Sequence, residues 1–224
     1  WGCCDEADPK VMEMQIDEAV RHGVNVFIYD WYWFKAPDGY SGPYLESALN
    51  DGFLKAPSNR KMNFYLMYAN HEVKYNYWNY HIHGDNEDIL FSPCIGMEDW
   101  KKVVERVITQ YFHLPNYVKI DGCPVFMIYD VKNLISGLGG IEKTKDAIAW
   151  FREQVKLAGF SDLHLQITIW GENSVNLSGF DSNMQGTTRD IVKLLGADSV
   201  THYQFVHFVN IDRDYNDILV DVKK

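Results

Sequence analysis

The chain has 224 residues, and 21 Lys and Arg against 31 Asp and Glu give a formal net charge of −10. Hydrophobic residues make up 46% and charged residues 23%, a balance that supports a packed core and excludes a disordered or low-complexity chain. No apolar run approaches the roughly 18 residues of a membrane-spanning helix, and an acidic surface repels phosphate backbones, which argues against a nucleic-acid partner.

Aromatic residues are unusually frequent at 15%. The chain opens on Trp1, so an N-terminus shortened by processing or by design is expected. Cys3 and Cys4 are adjacent, while Cys94 and Cys123 stand far off. That spacing makes neither a metal-binding C-x-x-C pair nor a disulfide framework, and free or partly buried thiols are expected.

Asp8-Pro9 reads as a helix cap followed by Pro at the first helical position. Met12, Ile16, Ala19 and Val20 continue at helical spacing until Gly23. The run 24–30 is nearly all apolar, as in a strand buried on both faces. A Pro/Gly loop and a short helix over 44–53 follow, then a second buried strand over 62–69. A long polar and aromatic loop runs to about Gly96, and Trp100, Val103, Val104, Val107, Ile108 and Tyr111 then form a helical stripe. Residues 117–120 with Asp121-Gly122 predict a short strand and tight turn leading into a third buried strand over 124–129. A helix over 141–158, a fourth strand over 163–170, a helix over 187–195, a fifth strand over 197–203 and a helix from about Tyr215 complete the pattern.

Strands alternating with helices predict parallel strands with crossover helices, and no linker divides the chain. The prediction is one α/β domain over 1–224. Neither G-x-G-x-x-G nor G-x-x-x-x-G-K-[ST] occurs, which disfavours nucleotide folds and points to a (β/α)8 TIM barrel. About five of the eight strand–helix units are visible, so the barrel is expected to be incomplete in this chain, either completed by further residues or covering its open edge in another way.

Catalytic chemistry in such barrels sits at the C-terminal strand ends. There the chain places Asp30, Trp31, Tyr32, Trp33 and Phe34; Asn70, His71 and Glu72; Tyr129 and Asp130; Trp170, Gly171 and Glu172; and Thr201, His202 and Tyr203. Aromatic faces beside carboxylates and amides suit a sugar, whose C–H faces pack on rings and whose hydroxyls need polar partners. The alternative for each ring is a cap on the barrel core. Glycosidases use paired carboxylates, one of them protonated. Glu172, Asp30 and Asp130 are the candidates, and Asp130 doubles as a possible helix cap.

Several segments carry a family resemblance. His22-Gly23-Val24 through Asp30-Trp31-Tyr32-Trp33-Phe34, the Leu45-Glu46-x-Ala48-Leu49 helix, Leu66-Met67-Tyr68-Ala69-Asn70, residues 117–126 with Ile128-Tyr129, and residues 196–203 resemble the glycoside hydrolase family 99-like proteins, in order along nearly the whole chain. The resemblance implies a (β/α)8 barrel acting on glycans without a cofactor. Family 99 members proper are retaining, mannan-directed endo-enzymes; wider relatives include glycosyltransferases of polysaccharide biosynthesis. Two departures stand out. Relatives read Ala-Asn-Glu-Asn-Trp where this chain has Ala69-Asn70-His71-Glu72-Val73, and the family's catalytic Asn-Glu-Trp-x-Glu segment does not occur.

The expectation is therefore a glycan-active protein, a glycoside hydrolase in its intact form, with a carbohydrate substrate and an exported location. The substrate-facing candidates are Asp30, Trp31, Trp33, Asn70, His71, Tyr129, Trp170, His202 and Tyr203, with Glu172 as a carboxylate chosen by position alone. The carboxylate pair of the family would lie outside this sequence. The rivals are a non-catalytic carbohydrate-binding barrel, a glycosyltransferase, and a metal-dependent hydrolase using His71, His81, His83 and Asp85.

Overall fold

The computed structural model describes residues 4–170, 175–182, 185–204, 206 and 209–222. Helix α1 (Pro9–Arg21) starts where the sequence places its cap, with the Asp8 carboxylate accepting from the Lys10 N–H at 2.9 Å. Strand β1 (Val26–Lys35) runs five residues past its predicted end, because Trp31–Phe34 are strand-forming aromatics and Tyr32–Lys35 pair with β2 (Ser41–Tyr44) as a hairpin. The predicted helix over 44–53 is a π-turn at Ala48–Gly52 followed by a 3-10 turn at Phe53–Lys55.

Strand β3 (Asn63–Tyr68) comes next. The long loop after it carries a small arm of its own, with β4 (Val73–Lys74), α2 (Tyr75–Trp78), α3 (Tyr80–His83) and β5 (Ile89–Phe91). Helix α4 (Met97–Val107) continues into a π-turn at Ile108–Phe112. Strands β6 (Lys119–Ile120) and β7 (Cys123–Ile128) form the expected hairpin. Its turn needs positive φ at both central residues, and Asp121 and Gly122 supply it at 52° and 80°.

Helix α5 (Val131–Leu138) ends at Gly139, which is left-handed at φ 87°, and this separates it from α6 (Ile141–Leu157). The rest is β8 (His164–Thr168), α7 (Thr188–Leu194), β9 (Ser199–Thr201) and α8 (Tyr215–Val222).

The parallel strands β1, β3, β7, β8 and β9 lie side by side in chain order. A doubly wound sheet reverses its order partway and carries helices on both faces. Here every crossover advances in the same direction, which places the helices on one face, as in the wall of a (β/α) barrel. The core confirms this. Residues of α1, α4, α5, α6 and α7 share one apolar cluster with Trp31, Phe64, Leu66, Tyr68, Phe126, Ile128, Leu165 and Ile167 of the strands.

The opposite face corresponds to the concave inside of such a barrel wall. Ile28, Asp30 and Tyr32 of β1 point there, with Tyr65, Met67 and Ala69, then Met127 and Tyr129, then Gln166 and Ser199. Among the described residues the sheet runs from β2 to β9 without closing, and Ile28 on the concave side stays 49% exposed.

Candidate functional site

Strand alternation decides which strand-end residues can meet a ligand, because neighbours along a strand point to opposite faces. Asp30 and Tyr32 face the concave side. Trp31 and Trp33, expected there as well, face the helices instead and are 2% and 5% exposed. The Trp31 indole N–H donates to Glu46 Oε1 at 2.7 Å, and the Trp33 indole donates to Ser41 Oγ at 3.1 Å. Both rings belong to the wall. Because β1 continues through Phe34, strand alternation sends Trp31 and Trp33 to the helix side.

Asn70 is likewise corrected. It is fully buried, and its side-chain amide brackets the Asp130 backbone, donating to the carbonyl at 2.6 Å and accepting from the N–H at 2.8 Å. Its own carbonyl accepts from the Asn133 amide at 2.9 Å. Asp130 caps α5, accepting from the Lys132 and Asn133 N–H groups. These two residues stitch the end of β3 to the β7–α5 turn.

The remaining candidates converge. The His71 ring meets Tyr32 edge-on at 5.7 Å and Tyr129 at 5.6 Å. Tyr129, Trp170 and Tyr203, from the ends of β7, β8 and β9, pack in a mutual cluster with ring centroids 4.9 to 5.6 Å apart. Asp30 lies among these groups. Its negative charge bears on Tyr32, Tyr129 and Tyr203, and His71 bears on it in turn.

Partial burial raises the Asp30 carboxyl above the usual aspartate value, and His71 offsets only part of that. Among the described residues no hydrogen bond reaches the Asp30 carboxylate, and the His71 charge alone opposes the effect of burial. Burial, with the Asp30 charge second, pushes the Tyr32 hydroxyl up to about 12, so it stays a neutral donor at neutral pH. Tyr32 is the site residue that sequence reasoning missed, although Asp30 plus period-2 alternation was enough to find it.

His202 is exposed and lines a cavity of about 510 Å3 with Tyr203, Val206, Ile211, Tyr215 and Ile218 beside the rim. Glu172 lies outside the described residues. His71, His81, His83 and Asp85 do not gather as ligands. The His71 ring bonds the Glu72 carbonyl, His83 packs on Tyr75, and Asp85 accepts from Tyr80. Among the described residues no group of three or more His, Cys, Asp or Glu is placed to hold a metal ion. No described helix is long and apolar enough to cross a membrane.

The arrangement brings aromatic rings, one carboxyl of raised proton affinity, a histidine and a tyrosine hydroxyl together on one face. It suits general acid–base work on a neutral, ring-shaped ligand.

The endo-alpha-mannosidase of glycoside hydrolase family 99 from Bacteroides thetaiotaomicron is a similar solved structure, with a TM-score of 0.36 and 10% identity over 90% of this chain and 68% of that one. No curated protein matches the chain. The sequence family described as Glycosyltransferase WbsX matches residues 2–220. The chain belongs to the WbsX glycosyltransferase family.

Proposed function

We propose that the concave rim binds a glycan and that Asp30 is its acid–base carboxyl in glycoside hydrolysis. One observation carries the reading: the carboxyl with a raised proton affinity stands among Tyr32, His71, Tyr129 and Tyr203 on a single face. The rings offer flat apolar faces to the C–H surface of a sugar, and Tyr32 and His71 offer polar edges to its hydroxyls. A glycan-active family supports the same class of ligand.

In the proposed step the Asp30 carboxyl gives its proton to the glycosidic oxygen as the anomeric C–O bond breaks. Water adds to the anomeric carbon and returns a proton to the carboxylate. A second carboxylate is needed to assist at the anomeric centre, and Glu172 keeps that candidacy from its place in the sequence, two residues after Trp170.

Glycosyl transfer is the second reading, favoured by the family description. There an acceptor hydroxyl replaces water.

The test incubates the protein with α-mannan, β-glucan and galactan, and separately with UDP-glucose and GDP-mannose. Release of new reducing ends, lost in Asp30→Asn, supports hydrolysis. Calorimetric binding of a nucleotide sugar without reducing-end release supports transfer. Polysaccharide binding with neither supports a carbohydrate-binding role. Binding of none of these overturns the glycan reading.

A further inference from the structure

Buried polar atoms in folded proteins are paired with few exceptions, and each exception has a physical reason. Among the described residues Ser58 Oγ, Tyr68 Oη, Asn76 Oδ1 and Thr168 Oγ1 are buried without a hydrogen-bond partner. Three of these lie outside the inner-face positions of the parallel strands. The Tyr68 ring packs on Trp31 and Trp100 on the helix-covered side. Ser58 precedes the 3-10 turn that leads into β3, and Asn76 is in α2.

Thr168 is different, and its strand fixes its direction. Gln166, two residues earlier, faces the concave side, where it donates to Ser199 Oγ at 3.2 Å and accepts from Tyr65 Oη at 3.0 Å. Ile167 and Ile169 point the other way, into the core beneath the helices. Thr168 therefore shares the concave face with Gln166 and Trp170.

It is 2% exposed, one step below the ring cluster of Tyr129, Trp170 and Tyr203. Its register neighbour Thr201 does not serve it, since the Thr201 hydroxyl donates to the His202 carbonyl at 3.1 Å. A valine would fill the same volume without the cost of an unmet hydroxyl.

We infer that Thr168 is a specificity-determining residue of the glycan site, its hydroxyl forming the floor of a sugar subsite that opens when the Trp170 and Tyr203 rings part. The inference rests on the glycan reading of this face and deepens it. A threonine hydroxyl both donates and accepts, and a sugar hydroxyl does the same, so one ligand group satisfies it. Trp170 and Tyr203 come two residues after Thr168 and its register partner Thr201, on the same face, and their rings are the surfaces a sugar face would occupy, so in this proposal their parting and the docking of the sugar are a single event. Sites that hydrogen-bond a substrate hydroxyl discriminate strongly, because an analogue lacking it leaves a buried polar group unpaired.

The experiment compares wild type, Thr168→Val and Thr168→Ser by calorimetry, using whichever of α-mannan, β-glucan and galactan binds wild type most tightly, and records thermal unfolding of each. The expected result is a roughly tenfold or greater loss of affinity in the valine variant, with an equal or higher melting temperature, and recovery of affinity in the serine variant. Wild-type affinity in Thr168→Val overturns the inference while leaving the glycan reading intact. A valine variant that melts lower with affinity unchanged, or does not fold, assigns the hydroxyl to the core and overturns it too. Failure of wild type to bind any of the three overturns the glycan reading, and this inference with it.

Discussion

On the helix-covered face of β1, Glu46 accepts hydrogen bonds from the Trp31 indole at 2.7 Å, from Arg106 Nε at 2.9 Å and from the Tyr111 hydroxyl at 2.9 Å, and the second Arg106 nitrogen closes a bidentate pair. On the concave face of the same strand, no hydrogen bond reaches the Asp30 carboxylate among the described residues. Burial raises both carboxyls. At Glu46 the Arg106, Trp31 and Tyr111 bonds outweigh it, and the net value falls below the usual glutamate range. At Asp30 only His71 opposes it, and the value stays raised. A carboxylate that holds a wall together is saturated with donors and kept charged. Asp30, with rings around it and no hydrogen-bond donor, has a raised proton affinity, as the proposed acid–base role requires.

The sharpest way to break this comparison is to remove the saturated acid. Glu46→Ala leaves the Arg106 charge, the Trp31 N–H and the Tyr111 hydroxyl without their shared acceptor. It is expected to cost about 3–5 kcal/mol, read by urea or thermal unfolding. The Glu46 value is lowered in the folded state, so its contribution is fully present above the ordinary 4.5 and lost as pH falls through the folded value. Glu46→Gln should flatten the acid limb of the stability profile.

Asp30→Asn should do the reverse. Reducing-end release is expected to fall roughly a hundredfold or more, while the fold is kept. The Asp30 value is raised, so wild type loses stability as pH climbs from 3.8 through the folded value. The asparagine variant should match wild type in acid and melt higher at neutral pH, as measured by calorimetry. A lower melting point would place Asp30 with Glu46 among the structural acids.

Smaller effects sharpen the picture at the rim. Trp170→Ala should weaken polysaccharide binding by about tenfold, near the upper range for a ring contact, with unfolding little changed. Asp130→Ala removes the α5 cap, and should cost about 1 kcal/mol of stability without altering affinity.

Much of the architecture was legible in the sequence. The apolar runs gave the parallel strands, Asp8-Pro9 the start of α1, Asp121-Gly122 the hairpin turn, and the family 99-like segments pointed to a glycan-active family. What was lost was lost through geometry. Asp30-Trp31-Tyr32-Trp33 is one continuous strand, so the eye-catching tryptophans face away from the site and the plainer Tyr32 faces into it. The buried roles of Asn70 and Glu46 depend on Asp130 and Arg106, each 60 positions distant, and no local pattern announces such pairs. The unmet hydroxyl of Thr168 has no sequence signature at all, since only packing shows which threonines lack a partner.

The central claim is that the concave rim, and not the helix-covered wall, receives the glycan. Backbone amide shifts measured by NMR during titration with α-mannan, β-glucan or galactan oligosaccharides test it most directly. The account predicts saturable shifts at Asp30, Tyr32, His71, Tyr129, Thr168, Trp170 and Tyr203, with Glu46 and Arg106 unmoved. Shifts centred on the outer helices α4 and α6, with the rim silent, would contradict it.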